Sequence, residues 1–543
     1  MSDPTSSETG PSLPIPPTAR PWKREAAWAA LIALVAGIAT WTAFRMLAPA
    51  IVHASTFDYW FESDAPAITT QLSDRFALEN ERANRHPLFT PAMYPVPYAL
   101  RHLANFDKVA AVGLTYAGLA ALWSALFFLL LRLIGLRRVE AITFTALALA
   151  GASAVFWFPV PETFAPAALT LLVALAALVW HEQTGRLSWI ACVLVGALTL
   201  SITVTNAVAG FLVCLVVLGW KRGLTAIGSA LALVAAGQFV ARLVFPHLAY
   251  FFLPGGEIET SAYLLNPLAG SLGDRLAGFF LHGLIVPPLQ QGYAGYLSVQ
   301  QAFASVPGPV LLGWGLWLVL LAAGILGLRK GGRPKLAAVL ICVLASQLAL
   351  VLVFGQETFL YVLQSGPLLV ALAAFGCLTP FRRWVLGGAA VLAVLAAVEN
   401  GRRFTEAAGL LRHRFAGARA YAQALSVRTG ADDLIVLGLP PAAAYGWIAP
   451  PLRVRAPYAL TLIPRFDSLR LARKGWHLHY ERWSRDALEQ MRRAGARYFA
   501  SEYGFGIQHD TAMQRYLDAH GRLLERTPDW VIYALQPRAD TAQ

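Results

Sequence analysis

Long apolar runs constrain this chain more than any other feature. Between about Ala27 and Val398, stretches of roughly 17–25 apolar residues recur, separated by short polar or basic segments. That is the length a helix needs to cross a bilayer, where every backbone N–H and C=O must find its partner inside the protein. Only 14% of the 543 residues are charged, against about a quarter in a soluble domain. The pattern predicts an all-α polytopic membrane protein of about eleven spans. They are placed at 27–50, 109–131, 141–158, 164–180, 189–203, 206–220, 224–245, 309–328, 336–354, 359–378 and 384–398.

The net charge of +13 is read as loop bias and not as affinity for nucleic acid. Lys and Arg cluster at 20–24, 137–138, 186, 221–222, 329–335 and 382–383, whereas the short loops 159–163, 201–206 and 355–358 hold none. Setting the basic loops in the cytoplasm places the N-terminus there and the C-terminus outside. It also decides the run 189–220, which has basic residues at both flanks. The run must cross and return as two short helices broken at Ser201–Asn206, "SITVTN". The broken backbone must then be covered by protein or line a cavity. Residues 1–26, rich in Pro, Ser and Thr, read as a disordered cytoplasmic tail. The first apolar run exceeds a signal-peptide core and reads as an anchor. The cysteines Cys192, Cys214, Cys342 and Cys377 all lie in apolar runs without a CxxC, so neither a disulfide framework nor a zinc site is legible.

Two loops, 51–108 and 246–308, and the tail 399–543 fall on the outer face of the 27–398 membrane domain. The tail opens with a basic amphipathic helix from Arg402 to about Arg428. Strand-like segments at 433–439, 496–501 and 530–535 then alternate with helical ones at 485–494 and 511–519. This predicts a small C-terminal α/β extracytoplasmic domain. The segment 473–483, "RKGWHLHYERW", reads as a solvated strand.

The acids of the first loop raise the question of function. "WFESDAP" (60–66) places Glu62 and Asp64 beside Asp58. Asp64, before Ala65-Pro66, suits a helix N-cap. Ile68, Leu72 and Phe76 step by four opposite Thr69, Gln71, Ser73 and Arg75, which predicts a short helix lying on the membrane surface. Glu162 in "PVPETF" and Glu357 in "GQETF" sit in tight outer loops. Acids pressed against apolar surroundings have raised pKa values and are functional candidates. Candidate cations are Arg75, Arg82, Arg85 and His86 in the first loop, Arg45 and Arg242 at outer span ends, and His247, Arg275 and His282 in the second loop. Singly, each would snorkel to headgroups. As a set they describe a cavity at the membrane surface with carboxylates and phosphate clamps, Arg being suited to bidentate phosphate binding. A polyprenyl-phosphate sugar fits such a cavity, its phosphate held by cations while a carboxylate deprotonates an acceptor hydroxyl. No nucleotide-binding glycine motif accompanies it. Asp58, Glu62 and Asp64 could help hold a divalent cation through their hard oxygens; no other cofactor and no further metal ligand are indicated.

With an acid after the first span in "FESDAP", a helix leading to "RHPLF", an acid between spans three and four in "PETF", and about eleven spans before an outer α/β domain, the chain resembles the GT-C superfamily of polytopic glycosyltransferases. Within it, the bacterial protein O-mannosyltransferase and aminoarabinose transferase types are nearest. The resemblance implies a lipid-linked sugar donor and a first-loop acid as general base. Carried over, it makes Asp64 the base candidate and Asp58 the reserve, since spacing from the span end does not separate them, and Glu162 the second carboxylate. The paired "DE" of mannosyltransferases is absent, because Ser63 splits Glu62 from Asp64. The implied setting is a bacterial inner membrane, with a periplasmic C-terminal domain and a glycan, lipid or protein acceptor. Two other classes stay open. A transporter or flippase for a lipid-linked sugar would place its ionisable residues and broken helices near the bilayer midplane. A membrane scaffold would act through its tail.

Overall fold

The computed structural model describes residues 22–53, 59–77, 80, 83–251, 271–291, 297–299, 306–354, 358–428, 434–439, 459–464, 479–482, 485–493, 495–502, 511–527 and 530–535. The tail 1–21, Asp58, Arg82, Glu357 and the segments 252–270 and 471–478, about which the sequence made predictions, lie outside these.

In the membrane domain the helices are α1 (Trp22–Leu47), α2 (Ala65–Gln71), α3 (Phe89–Met93), α4 (Pro95–Leu103), α5 (Lys108–Ile134), α6 (Arg138–Ala150), α7 (Ala152–Trp157), α8 (Phe164–Thr184), α9 (Trp189–Ile202), α10 (Ala207–Leu218), α11 (Trp220–Arg242), α12 (Leu272–Ala277), α13 (Gly308–Lys330), α14 (Pro334–Phe354), α15 (Val362–Ala374) and α16 (Arg382–Arg428). Among the described residues, eight helices are long and apolar enough to cross a membrane. Shorter apolar helices at Trp189–Ile202 and Val204–Leu218 form the expected out-and-back pair. Their free ends meet, because Cys214 Sγ near the end of α10 donates to the Cys192 carbonyl near the start of α9 at 3.2 Å. Their backbones touch at Gly210, where a Cβ would fall 2.2 Å from Thr199 Oγ1 and 2.8 Å from Gly196 Cα. Small residues at such crossings replace the hydrophobic drive that lipid cannot supply.

The expected span 141–158 is not one helix. Gly151 leaves the helix at ψ 146°, separating α6 from α7. The break frees N–H groups at the start of α7, and a segment from the second loop takes them up. Ala152 and Ser153 donate to the carbonyls of Leu284 (3.0 Å) and Gly283 (2.8 Å). Asn400, fully buried on α16, closes the joint. Its Nδ2 donates to the Ala150 and Leu284 carbonyls at 2.8 and 2.7 Å, and its Oδ1 accepts from Val286 N at 3.0 Å. Asn400→Leu should therefore cost about 3 kcal/mol, since buried polar groups lose their partners. A lower unfolding midpoint in detergent would report it; an unchanged midpoint would show that the joint holds without this amide.

The basic clusters gather at one end of the bundle. Glu25 pairs with Arg132 and Arg138, each at 2.9 Å, Glu182 with Arg333 at 3.3 Å, and Glu140 with Arg382. These pairs tie helix ends together there, leaving the opposite end to the site.

Two local expectations change. Helix α2 ends at Gln71, and its polar residues Thr69 and Gln71 are buried, while Phe76 is exposed. It is embedded in protein and does not lie on a surface. The exposed amphipathic helix is α4, with Val96, Tyr98 and Leu103 exposed and Arg101 Nη1 donating to the Ser73 carbonyl at 2.7 Å. The last span and the basic helix after it are one element, α16, 47 residues long. Its buried stripe Asn400, Arg403, Phe404, Ala407, Ala408 and Leu411 repeats every three or four residues, so the helix stays docked past the expected boundary at 399.

Beyond α16, strands β3 (Leu434–Leu439), β4 (Ala459–Pro464), β5 (His479–Arg482), β6 (Ala496–Glu502), β7 (Gly521–Arg526) and β8 (Trp530–Leu535) form a sheet of order β5-β4-β3-β6-β8-β7. A two-stranded pair, β1 (Gln290–Gln291) and β2 (Leu297–Ser298), precedes them in the second loop. Strands β3 and β6 pair in parallel and the rest of the sheet is antiparallel. Helices α17 (Arg485–Arg493) and α18 (Thr511–His520) bury Leu488, Met491, Met513 and Leu517 against Val436, Phe499 and Val531. This is the α/β unit the sequence predicted.

Candidate active site

The site is built on a strained turn. Phe61 and Glu62 both have positive φ, 51° and 59°, a region that large side chains rarely occupy and that surrounding structure must hold. Here an aromatic box holds it. Phe61 lies 5.7 Å from Phe156, 6.3 Å from Trp157 and 5.1 Å from Phe359 between ring centroids. Trp60 donates its Nε1 proton to the Phe156 carbonyl at 3.4 Å and meets Phe404 of α16 at 5.7 Å. The turn thus brings the backbone of "FESDAP" against the short loop between α7 and α8.

Glu162 in that loop is buried. Its Oε1 accepts from the Asp64 backbone N–H at 2.5 Å and its Oε2 from Thr163 N–H at 2.9 Å. Its carbonyl accepts from the Tyr116 hydroxyl of α5 at 2.6 Å. Asp64 stands at the N-cap position of α2, half-buried, but makes no side-chain capping hydrogen bond. The capping role expected from Ala65-Pro66 is therefore not used.

Glu62 is mostly buried, and burial pushes its carboxyl up to about 7. Tyr361, which leads into α15, packs 5.7 Å from Phe164 between ring centroids, and the charges of Glu62, Arg85 and Glu162 are felt there, so these groups share one neighbourhood with Asp64, whose backbone meets Glu162. The folded protein holds the Glu62 proton more tightly than the unfolded chain does. Stability should therefore fall as pH rises from the ordinary Glu range to about 7 and level off above it. Glu62→Gln should abolish that slope in unfolding midpoints measured from pH 5 to 8; an unchanged slope would assign it to another group.

The structure separates the remaining candidates. Arg85 and His86 are half-buried and belong to a segment that covers the break after α9. Leu88 N–H donates to the Ser201 carbonyl at 2.7 Å, Val204 N–H to the Arg85 carbonyl at 3.1 Å, and His86 Nδ1 lies 2.9 Å from the Ile202 carbonyl. The backbone at "SITVTN" is covered by protein, as membrane burial requires. Arg75, Arg45, Arg242 and His247 are exposed. The three arginines stack over the rings of Phe76 (4.6 Å), Trp41 (5.6 Å) and Tyr250 (4.8 Å). Arg275 donates to the Leu352 carbonyl at 2.5 Å. His282 departs most from expectation. It is buried and stacked 5.6 Å from Trp314, and its Nδ1 has no partner among the described residues. Burial favours the neutral imidazole, which cannot clamp a phosphate by charge.

The sequence reading offered Glu62 only as part of a divalent-cation set with Asp58 and Asp64, and it did not name Tyr361. Among the described residues no three His, Cys, Asp or Glu group to hold a metal. Asp58, the third acid of the expected divalent-cation set, lies outside them, and no step is derived through a metal.

No protein-family model matches the chain, and no curated protein matches it in sequence. Solved structures do. ArnT from Cupriavidus metallidurans bound to undecaprenyl phosphate superposes with a TM-score of 0.50 at 12% identity, over 95% of this chain and 99% of that one. The same protein in the apo state gives 0.51 at 11% identity, over 94% and 98%. Identity at this level speaks to fold, and the match covers nearly the whole of both chains: this is a polytopic membrane protein with the fold of ArnT.

Proposed function

We propose that this protein is a glycosyltransferase that moves a sugar from a polyprenyl-phosphate donor to an acceptor hydroxyl at the loop end of its bundle. The observation that carries this reading is the hydrogen bond that joins the Asp64 backbone to the buried Glu162 carboxylate, with Glu62, Arg85 and Tyr361 in the same electrostatic neighbourhood, on a fold shared with a protein crystallised with undecaprenyl phosphate. Asp64 takes the proton of the acceptor hydroxyl as its oxygen attacks the anomeric carbon. The bond from that carbon to the phosphate oxygen breaks, polyprenyl phosphate leaves, and the anomeric configuration inverts. Arg85 offsets the charge that gathers on the leaving phosphate. Glu162 holds the Asp64 backbone in place. The loop end faces the periplasm of a bacterial inner membrane, and the acceptor is a glycan, lipid or protein presented there.

The test is to offer the purified protein in lipid a panel of polyprenyl-phosphate sugars with candidate acceptors and to measure polyprenyl phosphate. Acceptor-dependent release supports the reading. Movement of the intact donor across the bilayer, with no release from any donor, would replace it with transport.

A further inference from the structure

Among the described residues, the break after α6 and the break after α9 are each closed by a loop segment stapled with one buried amide side chain. Asn400 staples 283–286 onto the break at 150–153. The other staple, Gln238, bears directly on the site. Gln238 lies on α11, a helix with much of its surface exposed, yet is itself fully buried. Its Nε2 donates toward the carbonyls of Ala83 (3.3 Å), Pro87 (3.0 Å) and Ala249 (3.2 Å), and its Oε1 accepts from Phe251 N–H at 3.1 Å. Ala83 and Pro87 bracket Arg85 and His86. On its other side the same segment is paired with the end of α9, through Leu88 to Ser201 and Val204 to Arg85. Residues 83–88 are therefore gripped from two directions, immediately before and after Arg85, whose charge is felt at Tyr361 alongside those of Glu62 and Glu162. Through Ala249 and Phe251 the same side chain also fastens the start of the second loop.

We propose that Gln238 is a positioning residue: it fixes the segment 83–88 so that Arg85 is presented to the acid pocket, ready for a polyprenyl phosphate, before the lipid arrives. Fixing a cation beforehand removes the ordering cost from binding. The phosphate in this statement rests on the proposed function; the clamp rests on the hydrogen bonds alone.

The experiment uses the full chain in lipid and two readouts that do not need turnover. In Gln238→Leu, which has similar volume and no hydrogen-bonding group, amide exchange at Leu88 and Val204 should quicken about tenfold or more, with α5 amides unchanged. The Kd for polyprenyl phosphate should weaken about tenfold in both Gln238→Leu and Arg85→Ala. The double variant should bind no more weakly than Arg85→Ala alone, because both changes remove one function. Unchanged exchange at Leu88 and Val204 would overturn the clamp. Faster exchange with an unchanged Kd would make Gln238 merely structural and overturn the positioning role. Failure of the wild type to bind polyprenyl phosphate would overturn it as well, whereas binding without sugar release would overturn only the proposed function.

Discussion

Asp64→Asn should slow sugar transfer by about 10²–10⁴-fold, the usual contribution of a general base, while leaving the protein folded. The amide keeps the shape of the side chain and the backbone N–H that Glu162 accepts, but it cannot take a proton. Stability is the control. A working N-cap would cost about 1 kcal/mol when altered; since Asp64 caps nothing with its side chain, the unfolding midpoint should hardly move. The measurement is acceptor-dependent release of polyprenyl phosphate at saturating donor. A rate close to wild type in a folded Asp64→Asn protein would remove Asp64 from the base role and pass it to Glu62, the other described acid of the turn, or to Asp58.

The membrane character, the α9–α10 hairpin and the C-terminal α/β unit were legible in the sequence because each rests on a repeated pattern. Apolar length marks spans, charge bias decides how many times the 189–220 run crosses, and alternating strand and helix periods mark the small domain. What was missed depends on contacts between distant segments. Gly151 sits in an unbroken apolar run, so nothing local announces that residues 283–286 intrude beside it. Strand β7, "GRLLER", lies at the sheet edge with exposed charge and lacks the alternation of a buried strand. Asp64 and Glu162 stood out as acids in outer loops, and the structure joins them through one hydrogen bond. The candidate cations could not be sorted by sequence, because it does not show that the Arg75 guanidinium lies over its neighbour's ring while Arg85 sits on a half-buried segment. Glu62 entered the sequence reading only as a possible cation ligand, because its setting comes from the positive φ at Phe61 and Glu62 and from an aromatic box around Trp60 and Phe61 contributed by three other parts of the chain.

Glu162→Ala should lower the rate about 10²-fold and also destabilise the fold, and the way these effects combine with Asp64→Asn defines what Glu162 does. Both its carboxylate oxygens accept backbone N–H groups, one from Asp64 and one from Thr163. Removing them leaves two donors in a buried loop without their charged acceptor, a loss of about 1.5–3 kcal/mol for each such bond. It also frees the Asp64 backbone, and a displacement of about 1 Å at a reacting group costs on the order of 10²-fold. Glu162→Gln is no conservative control, since its NH₂ would face one of the two donors and only one N–H could be satisfied. If Glu162 acts by placing Asp64, the double variant Asp64→Asn/Glu162→Ala should be no slower than Asp64→Asn alone, because the group being placed is already disabled. Multiplying penalties would show instead that Glu162 contributes to the transition state on its own account, as a second carboxylate acting on the sugar.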